Sequence, residues 1–145
     1  MSIEEKLERF AKDVNSWNTH LEFYEYLIEN CGPSHPTIKF PTNIVPGCIS
    51  RTYLAGFLKN NKLYFEVTSE SKIVQGIGNY LCRLFDDSTP KEILDFQFNE
   101  LEKLKYKEWL TSSRQNGFKQ MFIRIKKIAQ DNYVKWVGRT SNTKY

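Results

Sequence analysis

The stretch Ile49-Ser50-Arg51-Thr52-Tyr53-Leu54-Ala55-Gly56-Phe57-Leu58-Lys59-Asn60-Asn61-Lys62-Leu63-Tyr64-Phe65-Glu66-Val67-Thr68 decides the fold class. Its first half is rich in aromatic, branched and aliphatic side chains. Its second alternates Leu63, Phe65 and Val67 with Lys62, Tyr64 and Glu66, the two-residue period of a strand with one buried face. Asn60-Asn61 between them tolerates the positive φ of a tight turn, so the segment reads as an antiparallel hairpin.

Upstream, Pro33, Pro36, Pro41 and Pro46 deny residues 33–47 both regular helix and a central strand, and this long loop delivers Gly47-Cys48 to the hairpin. Further back, Ser2 with Glu5 marks a first helix start, and a second start signal at Asn15-Ser16 precedes Trp17. Leu21, Tyr24 and Ile28 then recur at i, i+3 and i+7, as one helix face requires, in a helix ending near residues 30–32. Downstream, Ser69 or Ser71 can cap a helix with Ile73, Ile77, Tyr80, Leu81 and Leu84 on one face. Gly76 and Gly78 inside it cost about 1 kcal/mol each against alanine, which calls for a compensating close backbone approach.

Thr89-Pro90-Lys91-Glu92 is a compact helix start with a hydroxyl N-cap, proline at the first turn and a capping-box glutamate. A further turn or two follows around residues 98–104. From about Arg114, Phe118, Met121, Phe122, Ile125, Ile128 and Ala129 define a long amphipathic helix. Residues 131–145 carry Tyr133, Trp136 and Val137 as anchors but end in polar residues, and read as a flexible basic tail. Helices, a hairpin and helices again indicate one α+β domain over residues 1–145, with an antiparallel sheet packed against several helices.

The chain has 145 residues, 40% hydrophobic and 26% charged, enough for one sizeable core and too little for two. Its longest apolar runs, such as residues 53–58, fall far short of the roughly 20 residues that cross a bilayer, and the acidic, broken start of the chain matches no secretory or transit signal. Three cysteines at 31, 48 and 82, with no C-x-x-C pair, disfavour a disulfide scaffold and a zinc ribbon. A reducing cytoplasm is expected, or an organelle matrix if a leader has been removed. The net charge of +4 is uneven: Lys119, Arg124, Lys126, Lys127, Lys135, Arg139 and Lys144 face only Asp131 at the C-terminal end. A solvated helix face with a frayed tail is the plainer reading of that segment, the alternative being an interaction module for an acidic partner or a nucleic acid.

Cys48 stands out by position. It follows a proline-rich loop and Gly47, where the backbone can turn sharply and leave the thiol approachable. A thiol so placed is either offered to a partner or packed as a small hydrophobe, and the second fate suits Cys82 inside its helix. Catalytic triads have little support, since only His20 and His35 supply an imidazole; a thiol-dependent enzyme would need His35 beside Cys48. No cysteine or histidine pair has local metal-ligand spacing, and no phosphate-binding glycine loop occurs.

Asn43-Ile44-Val45-Pro46-Gly47-Cys48-Ile49-Ser50, Ser69-Glu70-Ser71-Lys72-Ile73-Val74-Gln75-Gly76, Thr89-Pro90 and Leu110-Thr111-Ser112-Ser113-Arg114-Gln115-Asn116-Gly117 occur in an order and spacing that resemble the SufE family of sulfur-acceptor proteins and its CsdE-like relatives. The departures are Glu70 for the usual aspartate, Gln75 for lysine, Ser112 for proline, Tyr53 for tryptophan, and Ile49 and Arg51 where glutamine is frequent. The resemblance implies an α+β fold shared with IscU-like scaffold proteins and a non-enzymatic role beside a SufS-type cysteine desulfurase, which would hold the pyridoxal phosphate while this chain holds no cofactor or metal. It implies that Cys48 takes persulfide sulfur and passes it to the SufBCD scaffold for iron–sulfur cluster assembly, with Gly47, Ser50, Arg51, Glu70 and Arg114 at the partner surface. Nucleic acid and membrane are disfavoured as partners, and a homodimer is compatible with the sequence. Tyr53, Phe57 and Leu84 either wall a dry niche for the thiol or belong to the core, the second being the plainer reading.

Overall fold

In the computed structural model the backbone is described for residues 1–142 and side chains for residues 1–133. The hairpin forms as its sequence requires: β1 (Thr52–Lys59) pairs antiparallel with β2 (Lys62–Ser69), and Asn60 and Asn61 turn the chain at φ 51° and 65°. Leu54 opposes Val67 and Leu58 opposes Leu63, so the period-two pattern puts Leu54, Leu63, Phe65 and Val67 on one buried face. These two strands are the whole sheet among the described residues. Single bridges extend it at either edge, Ile44 to Tyr53 and Leu63 to Ser88.

Helices α3 (Lys72–Phe85) and α6 (Ser112–Asn142) cover the buried face, α3 against β2 and α6 against β1. Ser71 is the N-cap of α3, its hydroxyl accepting from Val74 N–H. Gly78 meets β2: a Cβ there would stand 2.8 Å from Val67 Cγ2. Gly76 meets the Leu27 backbone, where a Cβ would stand 2.9 Å from Leu27 Cβ and closer still to its carbonyl oxygen. The two glycines therefore trade helix propensity for close approach on two sides of one helix. On α6, Phe118, Met121, Phe122, Ile125, Ile128 and Ala129 are all buried, as their spacing requires.

The N-terminal helices depart from the sequence reading. Ser2 caps α1 (Ile3–Ser16), accepting Glu5 N–H at 3.1 Å, but α1 runs through Asn15 and Ser16, and Trp17 ends it. The cap of α2 (His20–Glu29) is Thr19, which accepts Glu22 N–H at 3.1 Å. The buried face of α2 carries Phe23 and Leu27, while Leu21 is 66% and Ile28 44% exposed. Apolar residues all round this segment admit more than one helical face, and docking on Gly76 of α3 selects the one holding Leu27.

The proline-rich loop contains two 3-10 turns, Pro36–Ile38 and Pro41–Asn43, and buries Ile38 and Val45. Thr89 forms the capping box with Glu92 at the head of α4 (Pro90–Asp95). A 3-10 segment, Phe98–Leu104, and the short α5 (Tyr106–Trp109) lead into α6, which starts at Ser112 rather than Arg114. Helix α6 continues to Asn142, so the backbone of residues 131–142 is helical. The side chains of Trp136 and Val137, and residues 143–145, lie outside the described residues. Two cations of the basic segment face inward. Arg124 donates to Leu54 O and Asn43 Oδ1, and Lys126 donates to the carbonyls of Ile93, Leu94 and Phe96 at the end of α4. No helix among the described residues is long and apolar enough to cross a membrane.

Candidate functional site

Residues 46–51 form a turn closed at its neck by Val45 N–H donating to Thr52 C=O at 2.9 Å. The Thr52 hydroxyl, buried at the foot of β1, donates to Ser50 O and shares a hydrogen bond with the Ser69 hydroxyl, both at 3.0 Å, which ties the turn to the end of β2. Gly47 adopts φ +81°, a conformation that L side chains rarely take, and this reverses the chain just before Cys48. Asn116 of α6 donates from its side-chain amide to Gly47 O at 3.0 Å. The prolines and glycine that the sequence placed before the cysteine thus build a short turn with fixed ends.

Cys48 is half-buried at the edge of a cleft of about 320 Å³ between the N-terminal ends of α3 and α6. Val74, Ile77, Phe118 and Met121 make its apolar wall, and Ser50, Ser71, Thr111, Ser113 and Arg114 its polar one. The thiol points at α6, where its S–H donates weakly to Gly117 O at 3.9 Å. A Cβ on Gly117 would stand 3.3 Å from Cys48 Sγ. Burial pushes the thiol pKa above its ordinary value, and a hydrogen bond with Thr52 opposes that only in part. Burial is the larger of the two influences on this thiol.

Of the residues expected at the partner surface, Ser50 and Arg114 share the cleft with Cys48. The Arg114 guanidinium lies 5.6 Å from the centre of the Tyr24 ring and donates to its hydroxyl at 3.4 Å, so α2 positions it. Gly47 is exposed on the turn. Arg51 and Glu70 are exposed at the open end of the hairpin, joined by Glu70 N–H donating to Arg51 O at 3.1 Å, and neither lines the cleft. Tyr53, Phe57 and Leu84 do not wall the thiol: Leu84 is core, Phe57 is 46% exposed, and the wall comes instead from α3 and α6.

Asn116 and Gly117, quoted in the last of the family-like motifs, Tyr24, read as part of one helix face, and Thr52 are site residues to which the sequence reading gave no site role. A glycine interrupting the apolar spacing of a long helix was the available signal for Gly117. The imidazoles lie elsewhere, His35 pairing with Glu66 at 3.3 Å and His20 packing on Trp109, so among the described residues no histidine or carboxylate lines the cleft. Cys82 is fully buried and its pKa is pushed strongly upward by burial, while half-buried Cys31 donates to Gly32 O at 3.5 Å. No cluster of three or more histidine, cysteine or acidic residues suited to a metal occurs among the described residues.

The sequence profile of the SufE family, described as an Fe-S metabolism associated domain, matches residues 8–129. A protein of Synechocystis sp. named as an uncharacterized SufE-like protein is 31% identical over 118 residues, spanning 77% of this chain and 74% of that one. A solution structure of a hypothetical protein from Thermus thermophilus shares the fold with a TM-score of 0.71 at 16% identity, covering 89% of this chain and 96% of the other. With the motifs in order along the chain, and this α+β fold carrying a thiol on a glycine turn, the protein belongs to the SufE family.

Proposed function

We propose that the chain is a sulfur carrier that takes the outer sulfur of a persulfide from a SufS-type cysteine desulfurase onto Cys48, stimulates that enzyme by accepting its product, and delivers the sulfur to the SufBCD scaffold. The thiolate of Cys48 attacks the outer sulfur of the donor persulfide. A new S–S bond forms to Cys48, the donor's S–S bond breaks, and the donor cysteine leaves as a thiolate, with no net oxidation or reduction. The chain needs no cofactor for this step, since pyridoxal phosphate belongs to the desulfurase.

The observation that carries this reading is a half-buried thiol on a short turn, at the edge of a cleft of about 320 Å³. No second cysteine lines the cleft to expel the sulfur as sulfide, and no histidine lines it to support hydrolysis. A cleft of about 320 Å³ is large enough for one further sulfur atom, so a loaded carrier can shelter its cargo from water and stray thiols. Burial pushes the resting thiol above its ordinary pKa and so disfavours the thiolate, which makes outward movement toward the desulfurase the activating event. Arg114 and Ser50, on the polar side of the same cleft, suit a docking rim.

Incubation with a desulfurase and cysteine is expected to give a protein heavier by one sulfur atom that returns to its starting mass on reduction, together with faster turnover of the enzyme. Both effects should vanish in Cys48→Ser. An adduct that persists in Cys48→Ser would overturn the assignment.

A further inference from the structure

Asn116 has an exposed side chain on the first turns of α6, yet it spends its amide on a loop carbonyl 69 residues away in sequence, that of Gly47. The next residue, Gly117, is buried, accepts the Cys48 S–H through its carbonyl, and leaves the thiol room by lacking a Cβ. Two consecutive residues of one rigid helix therefore hold the two consecutive residues of the turn that carry the chemistry. Elsewhere the turn is tied at its neck and foot, through Val45, Ser50, Thr52 and Ser69, in bonds that lie outside residues 46–49, and Thr52 also hydrogen-bonds the thiol. Nothing in sulfur transfer itself calls for Asn116.

We propose that Asn116 and Gly117 form a latch: Asn116 holds the turn closed through Gly47 O, Gly117 receives the thiol, and parting of the Asn116–Gly47 bond is the step that presents Cys48 to a partner. This deepens the sulfur-carrier reading and rests on it for the identity of the partner. Asn116 is a positioning residue, because it touches neither the thiol nor any substrate. A docking desulfurase that competes for the Asn116 amide or for Gly47 O would open the turn, whereas free small thiols, lacking that contact, would meet the closed form. The latch thereby ties exposure of the cargo to the arrival of the right protein.

The test is site-resolved iodoacetamide labelling, read by peptide mass spectrometry across pH 7–10 without any desulfurase. In Asn116→Ala the loss of one net hydrogen bond is expected to speed Cys48 labelling about five-fold and to move its pH profile to lower pH, with Cys31 and Cys82 unchanged. Gly117→Ala, whose methyl crowds the parked thiol, is expected to shift the Cys48 profile in the same direction and serves if the first variant folds poorly. A Cys48 rate and profile unchanged in both variants, or a uniform rise at all three cysteines, would overturn the latch. Sulfur loading by a desulfurase, measured on the same proteins, keeps the two ideas apart: unaltered labelling with normal loading removes the latch alone, and altered labelling with no loading of the wild type supports the gate while removing the carrier.

Discussion

Cys82 lies inside α3 among core side chains with its thiol sealed from solvent, whereas Cys48 lies half-buried on the turn 46–51 beside a cleft. Burial raises the pKa of both, but what holds each in place differs. Exposing Cys82 means separating α3 from the hairpin and from α6, which is close to unfolding the domain. Exposing Cys48 means rotating a few residues held by the Asn116 amide bond, a weak S–H contact, a hydrogen bond with Thr52 and packing at the cleft edge. The contrast shows that two thiols with the same direction of pKa shift can differ in how much structure must give way to expose them.

The largest effect that tests this contrast is kinetic. Native-state alkylation should label Cys48 at least on the order of 10³-fold faster than Cys82, because reaching Cys82 requires an opening that costs about 5 kcal/mol or more. Labelling of the two sites within ten-fold of each other would erase the distinction. A second comparison places the same substitution in the two helices. Gly76→Ala drives a methyl into the Leu27 backbone, which only a shift of α2 can relieve, and should cost about 2–3 kcal/mol in denaturant unfolding. Gly117→Ala meets only the movable Cys48 thiol, and the alanine gain in helix propensity, about 1 kcal/mol, offsets the crowding, so its stability should change by less than about 1 kcal/mol. Equal losses at the two positions would show that the Cys48 turn is as rigid as the core.

The smallest effect concerns alkaline stability. A thiol whose folded pKa is raised holds its proton longer in the folded than in the unfolded state. The stability it contributes is therefore complete below the unfolded value, near 9.0, and is lost as pH rises from there through the folded one. Each such thiol adds a slope of at most about 1.4 kcal/mol per pH unit above that point. Cys82→Ala should flatten the fall of unfolding free energy between pH 9 and 10.5 more than Cys48→Ala does, because the turn can release its thiolate without unfolding. A steeper flattening in Cys48→Ala would place the stronger burial at the wrong cysteine.

Much of the fold was legible because its signals are local. The Asn60-Asn61 turn, the alternation of Leu63, Phe65 and Val67, the Thr89–Glu92 capping box and the apolar spacing from Phe118 to Ala129 each act within a few residues, and each appears where the sequence placed it. The α2 face was not legible, since Leu21, Tyr24 and Ile28 fit a helical stripe as well as Phe23 and Leu27 do. Only docking on Gly76 discriminates between them. In the site, Cys48 and its turn could be singled out from Pro46-Gly47. The shelter walls could not, because Val74, Ile77, Phe118 and Met121 read simply as core positions of two separate helices.

What the sequence determined by itself is the menu of elements and the place of the thiol: caps, turns and hydrophobic periods are short-range, and family motifs keep their order along the chain. Tertiary structure decided which faces meet, that burial outweighs the Thr52 hydrogen bond at Cys48, and that Asn116 and Gly117 receive a turn far from them in sequence. Those outcomes depend on distances between segments that only the packing of α3 and α6 against the hairpin establishes.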